Sequence, residues 1–125
     1  MERKLIKSGS PYESTVGFSR AVRIGDRVLV SGTAPIWPDG SCDPDPGMQT
    51  RRCLEIIGEA LIAASASLSD VVRTRMFITD VGDHEAIGRA HGEVFGNIRP
   101  TSTMVVVKAL LDSRWKVEIE AEAIT

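Results

Sequence analysis

Aromatic residues are scarce in this sequence, 5% of 125 residues, so its core has to be built from Val, Ile, Leu and Ala. A surplus of positive charge is missing too: the formal net charge is −2 and the pI about 5.7. A domain that grips nucleic acid usually carries a basic face strong enough to raise its pI, so that class of partner is not expected. There are only two cysteines, Cys42 and Cys53, with no CxxC and no Cys/His cluster. They read as free thiols in a reducing compartment, and no metal or cofactor site is implied. No apolar run is long enough to cross a bilayer, and Met1-Glu2-Arg3-Lys4 leads into only two consecutive apolar residues. The pattern is that of a cytoplasmic protein without a signal peptide or a membrane partner. Walker loops and dinucleotide fingerprints do not occur. Gly17-Phe18-Ser19-Arg20-Ala21 lacks the last glycine of a nucleophile elbow and lies in a strand-like stretch rather than at a strand-to-helix turn.

What the sequence does hold is enough for one domain spanning residues 1–125, because a chain of this length hides roughly two-thirds of its surface on folding. Leu5-Ile6 suggests a first strand and Val16–Val22 a second, with Phe18, Arg20 and Val22 on one side. Gly25-Asp26 is a hairpin turn leading to a third strand at Val28–Ser31. Four prolines punctuate one long loop from Pro35 to Pro46. Cys53, Ile56, Ile57, Ala60, Leu61 and Ala64 then recur at helical spacing and make a single apolar stripe. Asp70–Thr79 is β-rich, with Val72, Thr74, Met76 and Ile78 on one face and Val71, Arg73, Arg75 and Phe77 on the other. Asp80 and Asp83 offer capping oxygens for a second helix running to Phe95. Met104–Val107 and Trp115–Ile124 complete the strands. The order β-β-β-α-β-α-β-β predicts an α+β domain with one mixed sheet and both helices on one face. The other face would be bare and mostly apolar, the kind of surface that self-association buries.

Two features invite a chemical reading. His84 and His91 are seven residues apart, about 10 Å along a helix, too far for one metal, and read as surface histidines. Val117-Glu118-Ile119-Glu120-Ala121-Glu122-Ala123 alternates strictly, so its three glutamates share a face about 7 Å apart. Each neighbouring repulsion amounts to roughly 0.6 kcal/mol in water and about 2.4 at an effective dielectric of 20. On a wet edge this is harmless; in an interface it needs cations, and Arg73, Arg75 or Arg20 could supply them.

These stretches together resemble the RidA/YjgF family. Val117-Glu118-Ile119-Glu120-Ala121 is similar to its closing Ile-Glu-Ile-Glu-Ala, Val30-Ser31-Gly32 to its Ser-Gly-Gln, and Phe18-Ser19-Arg20-Ala21 to its Tyr-Ser-Gln-Ala. Gln49 opens the long helix, Val71–Asp80 follows the family's β-run, and Phe95 precedes Pro100 at the family's spacing. The resemblance implies a chorismate-mutase-like fold, homotrimers, and small-molecule clefts between subunits. Many members hydrolyse enamines and imines derived from amino acids. There an arginine after Pro-Ala holds the substrate carboxylate and a last-strand glutamate positions water. Here that glutamate is matched to Glu120. Ser102 stands at the arginine's place, Phe18 replaces a tyrosine, Gly88 an asparagine and His91 another tyrosine. The resemblance therefore implies a site of Phe18, Arg20, Ser31, Gly32, His91, Ser102 and Met104 around Glu120. Its ligand would be a carboxylate or amino-acid derivative, and its chemistry departs from the usual deaminase. Arg20 is open to two roles, a substitute anion anchor or an ion-pair partner for the glutamate face. The endoribonuclease or translation-inhibitor role associated with the family finds no His/Lys acid–base pair beside a basic groove in this sequence.

Overall fold

The computed structural model describes all 125 residues. Six strands form one sheet in the order β1-β2-β3-β6-β4-β5: β1 (Arg3–Ile6), β2 (Ala21–Ile24), β3 (Arg27–Thr33), β4 (Val71–Ile78), β5 (Thr101–Val106) and β6 (Val117–Ile124). All pairs are antiparallel except β4–β5. That parallel pair needs a crossover, and α2 (His84–Phe95) supplies it. The longer α1 (Pro46–Ala63) joins β3 to β4.

The helices lie on one side of the sheet, and the core sits between. Val28, Val30, Met76, Ile78, Val117, Ile119, Ala121 and Ala123 point into it from the strands, and Cys53, Leu54, Ile57 and Leu61 meet them from α1. The stripe of α1 is broader than the sequence spacing suggests, because Leu54 and Gly58 are buried as well while Ile56 is only partly so. This helix also starts three residues before Gln49: Pro46 takes its first position and the Asp45 carboxylate accepts from the Met48 N–H at 2.9 Å. Gln49 is then free for another task. Fully buried, its Nε2 donates to the carbonyls of Asp43 and Arg114, and its Oε1 accepts from the Lys116 N–H at 2.7 Å. It ties the loops on either side of the sheet's end to the helix.

Three local expectations give way. The second strand does not begin at Val16. Residues Glu13–Gly17 form one wide helical turn that ends at Gly17 with φ of +89°, a conformation that suits a residue without Cβ, and the ladder begins at Ala21. Val71, not Val72, faces the core, since a bulge between Val71 and Arg73 reverses the alternation at the start of β4. Asp80 caps a short 3₁₀ turn (Val81–Asp83) by accepting from Gly82 N–H, and the Asp83 side chain caps nothing. The face opposite the helices is also not mostly apolar. Val22, Ile24 and Leu29 share it with Arg73, Arg75 and the three glutamates.

Candidate functional site

The glutamates share a face, as their alternation requires, but the register of β6 against β4 gives each a different partner. Glu122 lies opposite Arg73, Glu120 opposite Arg75, and Glu118 opposite Phe77. Glu122 is bound by Arg27 and, at 3.5 Å, by Arg73; Glu120 is bound by Arg75 at 3.3 Å. Glu118 has no ion pair. It is half-buried, and burial pushes its pKa up, with Glu120 adding to the rise and Arg20 opposing it.

On the other flank of β6 the ladder carries a second bulge. Val30 pairs with Ala121 and Thr33 with Ile119, so Ser31 and Gly32 together stand opposite Glu120. The Glu118 carboxyl lies against Gly32, and a Cβ there would come within 3.3 Å of its Cδ and Oε1. Glycine thus makes room for the carboxyl. The Ser31 hydroxyl donates to the Ser19 carbonyl at 2.7 Å, which joins the bulge to the segment before β2.

Arg20 is where sequence and structure diverge most. It is only 8% exposed, and its Nη1 donates to the Gly32 carbonyl at 3.1 Å and to Thr33 Oγ1 at 3.3 Å. Its guanidinium also lies 5.6 Å from the centre of the Phe18 ring. It forms no ion pair with any glutamate and lines neither of the hollows described next. Its observed work is to hold the bulge from beneath.

Two adjoining hollows open on this face. One, of about 390 Å³, is lined by Leu29, Ser31, Arg75 and Glu120 among others. The second, of about 470 Å³, is lined by Leu5, Phe18, Ser19 and Ser31. Arg3, Val22 and Ser31 border both. Phe18, Ser31, Gly32 and Glu120 therefore gather in one region. Glu118, which motif matching passed over in favour of Glu120, joins them. The signal that could have found it was the alternation Arg73, Arg75, Phe77, which leaves one of three glutamates without a cation in an antiparallel register.

Ser102, Met104 and His91 lie elsewhere. Ser102 pairs in register with Thr74 and Met104 with Met76, on the helix-facing side of β5, the outermost strand. His91 is not a surface histidine. It is half-buried, its ring lies 4.7 Å from that of Phe95, and burial lowers its pKa. Its Nε2 meets Thr74 Oγ1 at 2.8 Å, and Thr74 donates to Ser102 Oγ at 2.8 Å. Glu118 and Ser102 are thus on opposite faces of the sheet, with β4 lying between their strands.

Comparison with known proteins gives this arrangement a context. The Endoribonuclease L-PSP family model matches residues 9–125. The crystal structure of Rv2704 from Mycobacterium tuberculosis, a member of the YjgF/YER057c/UK114 family, is similar with a TM-score of 0.92 and 45% identity, over 99% of this chain and 100% of that one. The uncharacterized protein SCO2049 of Streptomyces coelicolor is 40% identical over 119 residues, 94% of this chain and 89% of that protein. Escherichia coli TdcF, whose structure holds a bound serine, is 29% identical with a TM-score of 0.83, over 97% and 93% of the two chains. TdcF carries the provisional name of a reactive intermediate deaminase.

Proposed function

The chain belongs to the Endoribonuclease L-PSP family, the RidA/YjgF proteins, and on that premise we propose that it hydrolyses a small imine or enamine in a cleft between two copies of itself, with Glu118 as the working carboxylate. The observation that carries this reading is the difference among the three glutamates. Glu120 and Glu122 are held by arginines, whereas Glu118 is unpaired, half-buried and raised in pKa. Glu120, singled out by its motif, is already paired with Arg75 at 3.3 Å.

A carboxylate of raised pKa is suited to both halves of such a hydrolysis. As water adds through its oxygen to the carbon of the protonated imine, Glu118 takes one of the water protons. The resulting carbinolamine then receives that proton on nitrogen, ammonia leaves, and the hydroxyl proton passes to the Glu118 carboxylate as the carbon–oxygen bond closes to a carbonyl. Burial beside Phe77 and Gly32 favours the protonated form of Glu118 and so suits it to return the proton. Phe18 and Ser31 border the hollow next to it. Ser102 belongs to this reading through a neighbouring copy, since one chain keeps it on the opposite face. The homotrimer expected of the family would supply that copy and bring the exposed β5 edge to the hollow.

Ser102 in place of a guanidinium alters selectivity. A bidentate charged grip is worth about 1.5–3 kcal/mol, so substrates that depend on a carboxylate anchor should be turned over poorly. That observation favours a second reading, in which the site binds a small molecule without deaminating it. An RNA substrate is not favoured, because Arg27, Arg73 and Arg75 are tied to Glu122 or Glu120, leaving Arg3 as the one unpaired arginine at the hollows and no continuous basic groove.

The test is ammonia release from 2-aminoacrylate generated in situ, compared with Glu118→Gln and Glu120→Gln. The wild type should exceed buffer, Glu118→Gln should lose about 10²-fold or more, and Glu120→Gln should stay within a few-fold. No acceleration by the folded, assembled protein would sink the hydrolase reading. Thermal-shift screening with carboxylates, amides and aromatic metabolites would then decide whether binding alone survives.

A further inference from the structure

The hydrogen-bond chain at the β5 edge has a property that its members do not have singly. Thr74 is fully buried and has one hydroxyl proton, yet it sits 2.8 Å from Ser102 Oγ on one side and 2.8 Å from His91 Nε2 on the other. It can donate to only one of them. In the arrangement observed Thr74 donates to Ser102, so it must accept from an Nε2–H of His91. Ser102 Oγ is then already an acceptor inside the protein, and its own proton is free for an acceptor outside it, since Ser102 is exposed. Were Nε2 bare, the chain could reverse. Thr74 would donate to His91 and accept from Ser102, and the serine would present lone pairs to a ligand instead of a proton.

The protonation of His91 decides whether both orders exist. The imidazolium has hydrogen on both nitrogens, so it can only donate, and the reversed order is forbidden. Neutral imidazole permits either. No charged side chain of α2, β4 or β5 acts on His91; burial is the sole influence on it, its polar neighbour is Thr74, and the Phe95 ring covers one side. The state of this chain therefore depends on one titration.

We propose that Ser102, Thr74 and His91 form a proton-controlled anchor for an acceptor oxygen, the carboxylate or carbonyl oxygen of a small ligand, in which protonation of His91 locks the Ser102 hydroxyl as an outward donor. The locked form also holds a positive charge two hydrogen bonds behind the serine. A carboxylate is thus favoured twice in acid and only weakly at neutral pH. The inference rests on the reading that Ser102 borders the ligand cleft, but it does not involve Glu118 or any catalytic step.

Pyruvate is a suitable probe, because it is a 2-oxo acid whose carboxylate stays ionised throughout the range tested. Its affinity for the full-length protein would be measured by NMR or calorimetry from pH 7.5 to pH 5, with the His91 ring signals followed in parallel. We expect binding to strengthen about fivefold or more as the pH falls through the His91 titration, in keeping with the gain from a charge-assisted hydrogen bond. Thr74→Val keeps the size of the side chain and the imidazolium but breaks the chain, and it should abolish most of that gain. His91→Gln, which cannot titrate, should bind with no pH dependence. A wild type whose affinity does not change with pH overturns the proposal, and so does saturation at no pH by the folded protein. A Thr74→Val variant with the full gain overturns it as well, since the charge would then act through space. Ammonia release does not enter any of these outcomes, so the failure of this proposal and that of the hydrolase reading are told apart.

Discussion

Glu118, Glu120 and Glu122 occupy equivalent places in an alternating strand, yet only one of them lacks an ion pair. The difference arises across the strand and not along it. An arginine opposite a carboxylate neutralises it, and an exposed pair of this kind is worth about 0–1 kcal/mol; a phenylalanine opposite a carboxylate only removes water. Glu118 is in the second situation, and its pKa rises above the ordinary value of 4.5 for that reason. The folded protein then holds a proton on Glu118 more tightly than the unfolded chain does. The Glu118 contribution to stability is greatest below about pH 4.5 and is lost as the pH rises from there through the raised folded value. His91 slopes the opposite way. Its folded pKa lies below 6.5, so its contribution is complete above that pH and is lost as the pH falls through the folded value. Urea denaturation midpoints measured from pH 4 to pH 8 should therefore lose one slope in Glu118→Gln, on the acid side, and the other in His91→Gln, below 6.5. Unchanged profiles in both variants would contradict these assignments.

At the scale of elements, the bulge in β3 and its underpinning shape the site. An extra residue in one strand bends it and redirects its side chains, which here sets Ser31 and Gly32 together against Glu120 and leaves space over Gly32 for the Glu118 carboxyl. Arg20 holds the bulge through Gly32 O and Thr33 Oγ1. Gly32→Ala tests this directly. The added methyl would meet the end of a flexible side chain at 3.3 Å, so the fold should lose no more than about 1 kcal/mol. The carboxyl, however, must move, and ammonia release should fall about tenfold while the denaturation midpoint barely shifts. Equal losses in stability and rate would mean that the glycine serves the fold alone. The helices are simpler: α1 buries eight of its eighteen residues and is oriented by that burial, with Gln49 fastening the loops at its first turn.

For the whole molecule, the proposed cleft calls for a second copy. The hollows bordered by Phe18, Ser31 and Glu120 open on the bare face of the sheet, with the Glu118 carboxyl against Gly32 nearby, while Ser102 sits on the opposite side at an edge strand with no further partner. A second copy can place its β5 edge beside the first copy's hollow; a single copy cannot fold its sheet through itself. Leu29, 46% exposed on the bare face beside Glu122, is a suitable place to disturb such an assembly. Leu29→Glu adds a fourth carboxylate there and should yield a folded monomer in sedimentation analysis, with ammonia release reduced to the buffer rate. A monomeric variant with full activity would show that the site is complete within one chain. No helix is long and apolar enough to cross a membrane.

What the sequence by itself determined follows from periodicity. Alternation placed the glutamates on one face, the helical spacing from Cys53 to Ala64 marked the buried side of α1, and the order of elements implied a mixed sheet covered on one side. All three depend on the neighbours along the chain, and these are visible without coordinates. The rest depends on contacts across the sheet. Which glutamate escapes an arginine, which of Val71 and Val72 turns inward, and whether Arg20 reaches a ligand or the Gly32 carbonyl are matters of register and bulges. A single extra residue in a strand shifts every later pairing by one and exchanges the two faces. Composition and motif order do not encode that shift, so the likeness of the last strand to its family could point to Glu120 while the tertiary structure left Glu118 as the carboxylate without a counter-ion.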